Sequence, residues 1–152
     1  MAEMKPVASN RKAHHDYDIL DRLEAGIALT GTEIKSLRAG GAHIREAHVR
    51  PLAGEMWLYG AHIAPYAAGS YLNHEPVRPR RLLMHKRQIH EWSEAMAERG
   101  LTIVPLSLYL KDGKAKVEIG LARGRRAYDK RQAIAKRDAE REVQRALRER
   151  NR

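Results

Sequence analysis

Residues 104–121 carry the feature that most restricts what this chain can fold into. Val104, Leu106, Leu108 and Leu110 alternate with other residues, Asp112-Gly113 is a two-residue sequence favoured by tight hairpins, and Ala115, Val117, Ile119 and Leu121 alternate beyond it. A turn at Asp112 and Gly113 sets Leu110 opposite Ala115, Leu108 opposite Val117, Leu106 opposite Ile119 and Val104 opposite Leu121. All eight then share one face, and a slip of one residue would turn half of them to water. Pro105 lacks an N–H, which predicts a sheet edge or bulge at that end.

The stretch EAGIALTGTEIKSLRAGG, residues 24–41, adds a helix. Thr30 followed three residues later by Glu33 predicts a capping box, Ile34 and Leu37 share a face, and Gly40 or Gly41 supplies the stop. Ile27 and Leu29 alternate as in a half-buried strand. Upstream, Tyr17, Ile19 and Leu23 predict another strand, hairpinning through Glu24 to Gly26. Further strands are expected at residues 47–51 and 55–63, joined by Leu52, Ala53 and Gly54. In the second, Met56, Trp57, Leu58 and Tyr59 run together, which predicts cover on both faces and assigns Trp57 and Tyr59 to the core rather than to base stacking. A loop over 65–79 closes on Arg78, Arg80 and Arg81, a solvated rim or a phosphate clamp. Leu82 and Leu83 lead into a second helix at about 84–99, with Ile89, Trp92 and Met96 on one stripe and Gly100 at its end. Some six strands joined mostly by hairpins, with two internal helices, predict a mainly β fold: a small antiparallel barrel of oligonucleotide-binding (OB) type with flanking helices, or else a flatter α+β sheet.

Charge narrows the partners. The 152 residues carry a net charge of +10, and it is unevenly placed: residues 1–120 hold 17 Lys or Arg against 14 Asp or Glu, residues 121–152 hold 12 against 5. A polyanion, foremost nucleic acid, is the expected partner. Absence of cysteine, of any apolar run near membrane length and of an apolar stretch at the N-terminus leads to the expectation of a soluble cytoplasmic protein with no membrane partner. Residues 1–9 show no periodicity and are expected to be disordered, followed by a basic lead of Asn10, Arg11, Lys12, His14 and His15. His14 and His15, as strand neighbours, would face opposite ways, so no metal is expected. No cofactor and no enzymatic activity are expected either, since neither a phosphate-cradling Gly loop nor a carboxylate pair is evident. From Asp129 the tail has helical composition, yet Ile134, Val143, Ala146 and Leu147 are too sparse to anchor it, so it is expected to fold on a partner.

The segment EAGIALTGTEIKSLRAG resembles the signature of the small protein B (SmpB) family, the SsrA-binding proteins, bacterial partners of transfer-messenger RNA in ribosome rescue. The family's tail pattern of Gly, two basic residues, Tyr or His, then Asp-Lys-Arg is matched by Gly124, Arg125, Arg126, Tyr128, Asp129, Lys130 and Arg131. Departures are modest: His43 and His48 stand where Asn and Tyr are expected, and Arg125 and Arg126 replace the commoner Lys pair. The resemblance implies a monomeric adaptor. Its barrel, residues 1–122, would hold the tRNA-like part of transfer-messenger RNA, and its tail, 123–152, would enter the mRNA channel and meet small-subunit rRNA at the decoding centre of a stalled ribosome. Family positions matching Asn10, Glu24 and Leu83 belong to the RNA surface, and Lys12, His15, Lys35, Arg38, Arg78, Arg80 and Arg81 are expected to complete it. A generic single-strand binder is the rival reading, weakened by a chain with two Trp, six Tyr and no Phe.

Overall fold

The computed structural model describes residues 4–66 and 73–150, with the side chains of 125–133 left aside. Among the described residues the order of elements is β1 (Met4–Ser9), α1 (Arg11–Asp16), β2 (Tyr17–Ile27), α2 (Gly31–Arg38), β3 (Ala42–His43), β4 (His48–Leu52), β5 (Glu55–Tyr59), β6 (His62–Ile63), β7 (Arg80–Leu83), α3 (Lys86–Arg99), β8 (Thr102–Lys111), β9 (Lys114–Gly124) and α4 (Arg125–Arg150). The fold is mainly β with helices. All strand pairs are antiparallel; β3 pairs β6 in a small sheet of two strands, and the others follow the order β1-β8-β4-β5-β7-β2-β9, with β8 also pairing β9. The pairings therefore run from β8 through β4, β5, β7, β2 and β9 back to β8, with β1 attached outside. One continuous core fills the space between, including Leu37, Met56, Leu58, Leu82, Ile103 and Val117.

The expected hairpin forms, with a difference. Asp112 and Gly113 both have positive φ, 51° and 77°, the mirror-image turn whose twist matches two antiparallel strands. Leu110 pairs Ala115 and Leu108 pairs Val117, but a bulge between Pro105 and Ser107 then shifts the register, so that Ile103, not Val104, pairs Leu121. Val104 and Leu106 turn to the opposite face and bury themselves with Ala13 and Ala122 in a second, smaller cluster beneath α1. The prediction that all eight apolar residues share one face thus holds for six of them. Alternation is blind to a bulge when both faces of a strand are apolar.

Other expectations change too. Residues 17–27 form one strand rather than a hairpin, and ladder pairs to β9 run from Tyr17–Gly124 to Gly26–Lys116. A second bulge lies between Ile19 and Asp21, which leaves Leu20, the extra residue, 44% exposed. Residues 4–9, expected to be disordered, pair along Lys111 to Ser107 as β1. His14 and His15 lie in a helix, not a strand. Leu82 and Leu83, read as the lead into a helix, form with Arg80 and Arg81, read as the close of a loop, a strand between β5 and β2. In β5 the burial alternates: Met56 and Leu58 are fully buried, whereas Trp57 and Tyr59 lie half-buried on the outer face, not in the core. β9 runs to Gly124, two residues past the expected boundary. Among the described residues no helix is long and apolar enough to cross a membrane.

Candidate nucleic-acid interface

The N-terminus of α2 shows how this fold spends its charges. Thr30 N donates to Glu33 Oε1 at 2.8 Å and Glu33 N donates to Thr30 Oγ1 at 3.4 Å, the predicted capping box. Yet the Glu33 side chain is fully buried and also accepts from Arg78, by Nε at 3.1 Å and by Nη2, and from Arg80 Nε. Arg80 completes its valences on the Ala61 carbonyl at 2.8 Å and the Pro76 carbonyl at 3.0 Å. Burial pushes the Glu33 carboxyl up, the donors from Arg78, Thr30 and Arg80 outweigh it, and the net is a pKa below the ordinary value. Nearby, Thr32 Oγ1 meets His74 Nδ1 at 2.9 Å and His74 Nε2 meets the Ile63 carbonyl at 2.8 Å. Together these contacts tie the segment before β7 to α2.

Two of the positions expected to contact RNA are turned inward. Arg80 is 0% exposed with its donors directed at protein acceptors, so it cannot clamp a phosphate. Asn10, 3% exposed, is structural: its Oδ1 accepts from Ala13 N at 3.1 Å as the cap of α1, and its Nδ2 donates to the carbonyls of Pro105 at 2.9 Å and Ile44 at 3.3 Å. Arg78 is held by Glu33 and its side chain is 31% exposed.

The remaining positions lie at the surface. Lys12 pairs with Glu46 at 3.2 Å and His15 with Asp16 at 2.9 Å. The Lys35 ammonium sits 5.6 Å from the Tyr66 ring centroid, and Arg38 is exposed at the end of α2. Lys12 also borders a cleft of about 490 Å³ between α1 and β4, with Arg45 and Arg50 on its rim.

Glu24 and Leu83 are brought together. Leu83 is 51% exposed and pairs Gly26, where a Cβ would come within 3.1 Å of the Leu83 Cβ, so a side chain there would press on Leu83 and shift it by a few tenths of an ångström. Two residues back on the same face, Glu24 accepts a hydrogen bond from the Tyr109 hydroxyl and lies 3.5 Å from Lys111 Nζ. The Tyr109 bond lowers the Glu24 pKa more than any other influence, and Lys111 adds to it against a burial penalty. In return the Tyr109 phenol is raised above its ordinary value, by burial first and then by the Glu24 carboxylate. Tyr109 was missed in the sequence, although its place between Leu108 and Leu110 assigns it to the outer face.

Arg50, Trp57 and Arg81 were also missed as a group. Arg50 pairs Trp57 and Trp57 pairs Arg81, so the three stand side by side across β4, β5 and β7 on the outer face. For the tail, Gly124 ends β9 opposite Tyr17 and Arg125–Arg131 open α4, while the side chains of Arg125, Arg126, Tyr128, Asp129, Lys130 and Arg131 lie outside the described residues. From Ile134 to Arg150 every side chain of α4 is exposed.

A family profile described as SmpB protein matches residues 7–149. An SsrA-binding protein of Carboxydothermus hydrogenoformans is 56% identical over 146 residues, covering 96% of this chain and 98% of that protein. One from Acidothermus cellulolyticus is 61% identical over 143 residues, covering 94% and 90%. A solved chain from work on tmRNA-SmpB in the bacterial ribosome superposes with a TM-score of 0.66 at 50% identity, over 78% of this chain and 84% of that one.

Proposed function

The chain belongs to the SmpB protein family, and from that premise we propose that it is a non-enzymatic adaptor that binds the tRNA-like domain of transfer-messenger RNA and delivers it to stalled ribosomes. The observation that carries this reading is identity above half with SsrA-binding proteins over nearly the whole chain, tail included. The ring of six strand pairings is read as an antiparallel barrel of OB type, with β1 and the helices as additions to it. Residues up to Gly124 form the RNA-holding body, and 125–152 form a tail that enters the decoding centre and the mRNA channel.

Within the body, exposed Leu83 beside Glu24 is the centre of the RNA surface. A large apolar side chain left half in water next to a carboxylate held by Tyr109 costs stability without return in the free protein, and it suits a nucleotide that brings both a flat apolar face and amino donors. Lys35, Arg38, Arg81 and Lys12 supply cations and His15 a hydrogen-bonding ring to the same surface, whereas Asn10, Arg78 and Arg80 act by holding the framework. Gly124, the last residue of the body, and tail residues Arg125, Arg126, Tyr128, Asp129, Lys130 and Arg131 meet small-subunit rRNA, since a basic run with one aromatic suits phosphates and an unpaired base. The protein acts as a monomer in the cytoplasm.

The test is recovery of the tagged protein from cells and sequencing of the bound RNA. One dominant structured RNA is the expected result. A broad mixture of RNAs would instead establish a generic single-strand binder.

A further inference from the structure

On the outer face of the sheet, two neighbouring rungs of β4 and β5 bring aromatic and basic side chains together. Trp57 stands between Arg50 and Arg81, and one rung away His48 stacks on Tyr59 with ring centroids 5.5 Å apart and planes 17° from parallel. Trp57 is half-buried, unlike Trp92, which is 6% exposed in the core. Arg50 and Arg81 are exposed, and among the described residues neither has a carboxylate within ion-pair distance. Glu55, two residues before Trp57 on the same strand, is the one acid on this part of β5. Burial and then the Arg50 charge hold the His48 pKa below its ordinary value, so near neutral pH this stack adds flat surface without charge.

We propose that Trp57, flanked by Arg50 and Arg81, is a stacking site for one unpaired nucleotide of the transfer-messenger RNA. The inference rests on the reading of the chain as an RNA binder and adds a contact that reading does not contain. A structural tryptophan would be expected among Met56 and Leu58, whose face is sealed. Here the indole lies on the opposite face, on a residue paired on each side with an exposed arginine that has no carboxylate partner among the described residues, a combination that suits a base plane together with the phosphates on either side of it. The occupant is assigned to the same RNA that Leu83 meets, because Arg81 and Leu83 are alternate residues of β7 and share its outer face.

The intact protein provides the probe. Tryptophan fluorescence is recorded while the isolated tRNA-like domain is titrated in, with Trp57→Phe as the reference that retains only buried Trp92. Quenching in the native chain and its absence in Trp57→Phe are expected. Trp57→Ala should weaken this RNA by about tenfold, the scale of one lost base stack, with Trp57→Phe close to native. Arg50→Gln and Arg81→Gln should each reduce the salt dependence of binding by about one phosphate contact. If the tRNA-like domain binds with native affinity to Trp57→Ala, the stacking site is refuted while the adaptor reading stands. If only ribosomes, and not the tRNA-like domain, quench Trp57, the assigned RNA is wrong. If native protein fails to bind the tRNA-like domain, the adaptor reading itself falls. Circular dichroism and thermal melting of each variant separate lost contact from lost fold.

Discussion

Arg80 Nε donates to Glu33 Oε2 with both side chains fully removed from solvent, so an ion pair 47 residues apart in sequence sits inside the fold where aliphatic packing is the rule. Removing one partner strands the other charge without water. Glu33→Ala is therefore expected to cost about 3–5 kcal/mol and to lower the melting temperature by roughly 10 °C, as read in a thermal melt. Arg78→Ala should cost clearly less, because Arg78 is partly exposed and Arg80 still satisfies the carboxylate.

Acid should reach the same pair. The Glu33 pKa is depressed in the folded chain, so its contribution is full above the ordinary carboxyl value of 4.5 and is lost as pH falls through the lower folded value. Stability measured by urea unfolding should thus fall below about pH 4.5, and Glu33→Gln should flatten that part of the curve.

Tyr109→Phe is expected to raise the Glu24 pKa back toward 4.5, because the lost hydroxyl is the main influence holding it down. NMR titration of the Glu24 carboxyl reads this directly. In native protein the Tyr109 proton is retained past its ordinary pKa of 10, so that pair stabilises the fold below pH 10 and ceases to do so as pH climbs above it.

At the RNA surface, Leu83→Asp and Glu24→Ala should each weaken binding of the tRNA-like domain by about tenfold; stability should stay within about 0.5 kcal/mol in Leu83→Asp, whereas Glu24→Ala should lose about 1 kcal/mol through the Tyr109 hydroxyl it leaves unpaired. Loss of cooperative unfolding in either variant would return that residue to a structural role. Asn10→Ala should behave oppositely, losing about 1–3 kcal/mol of stability through its cap and two buried carbonyl partners, with RNA affinity falling only in step with the folded fraction.

A chain stopped after Gly124 retains every strand and should fold. It loses residues 125–152, which carry 11 Lys or Arg against 5 Asp or Glu, a net of +6, so non-specific RNA binding and salt dependence should drop while specific binding persists. Peptide tagging on reconstituted stalled ribosomes should disappear. An isolated 128–152 peptide should show little helix by circular dichroism at moderate salt, since no described side chain of α4 beyond residue 133 is buried.

What the sequence made legible was local. The Asp112-Gly113 turn, the Thr30–Glu33 box and the Gly100 stop of α3, where φ is 63°, each depend on a few adjacent residues, and each forms as expected. Features that depend on distant partners were not legible. Met4–Ser9 has no periodicity of its own and becomes a strand only because β8 offers it an edge. Arg78, Arg80 and Arg81 looked like one cluster, yet Glu33 takes two of them and leaves the third in water. Trp57 read as core because four large apolar residues ran together, and only the ladder reveals which of them face inward.

The bulge in β8 has a consequence for how the chain acquires its fold. Ile103 and Pro105 would fill the core about as well as Val104 and Leu106, so hydrophobicity alone leaves two reading frames for that half of the strand nearly degenerate. Asn10 breaks the tie: its N–H donates to the Leu106 carbonyl at 2.9 Å and its side chain to the Pro105 carbonyl, across 95 residues of sequence. Frame selection must therefore wait until the two ends of the chain meet, late and at the cost of closing a long loop. Vectorial synthesis eases this, for Asn10 leaves the ribosome long before β8 is made. In refolding from denaturant no such head start exists, and an Asn10→Ala chain should populate a misframed hairpin that corrects itself slowly.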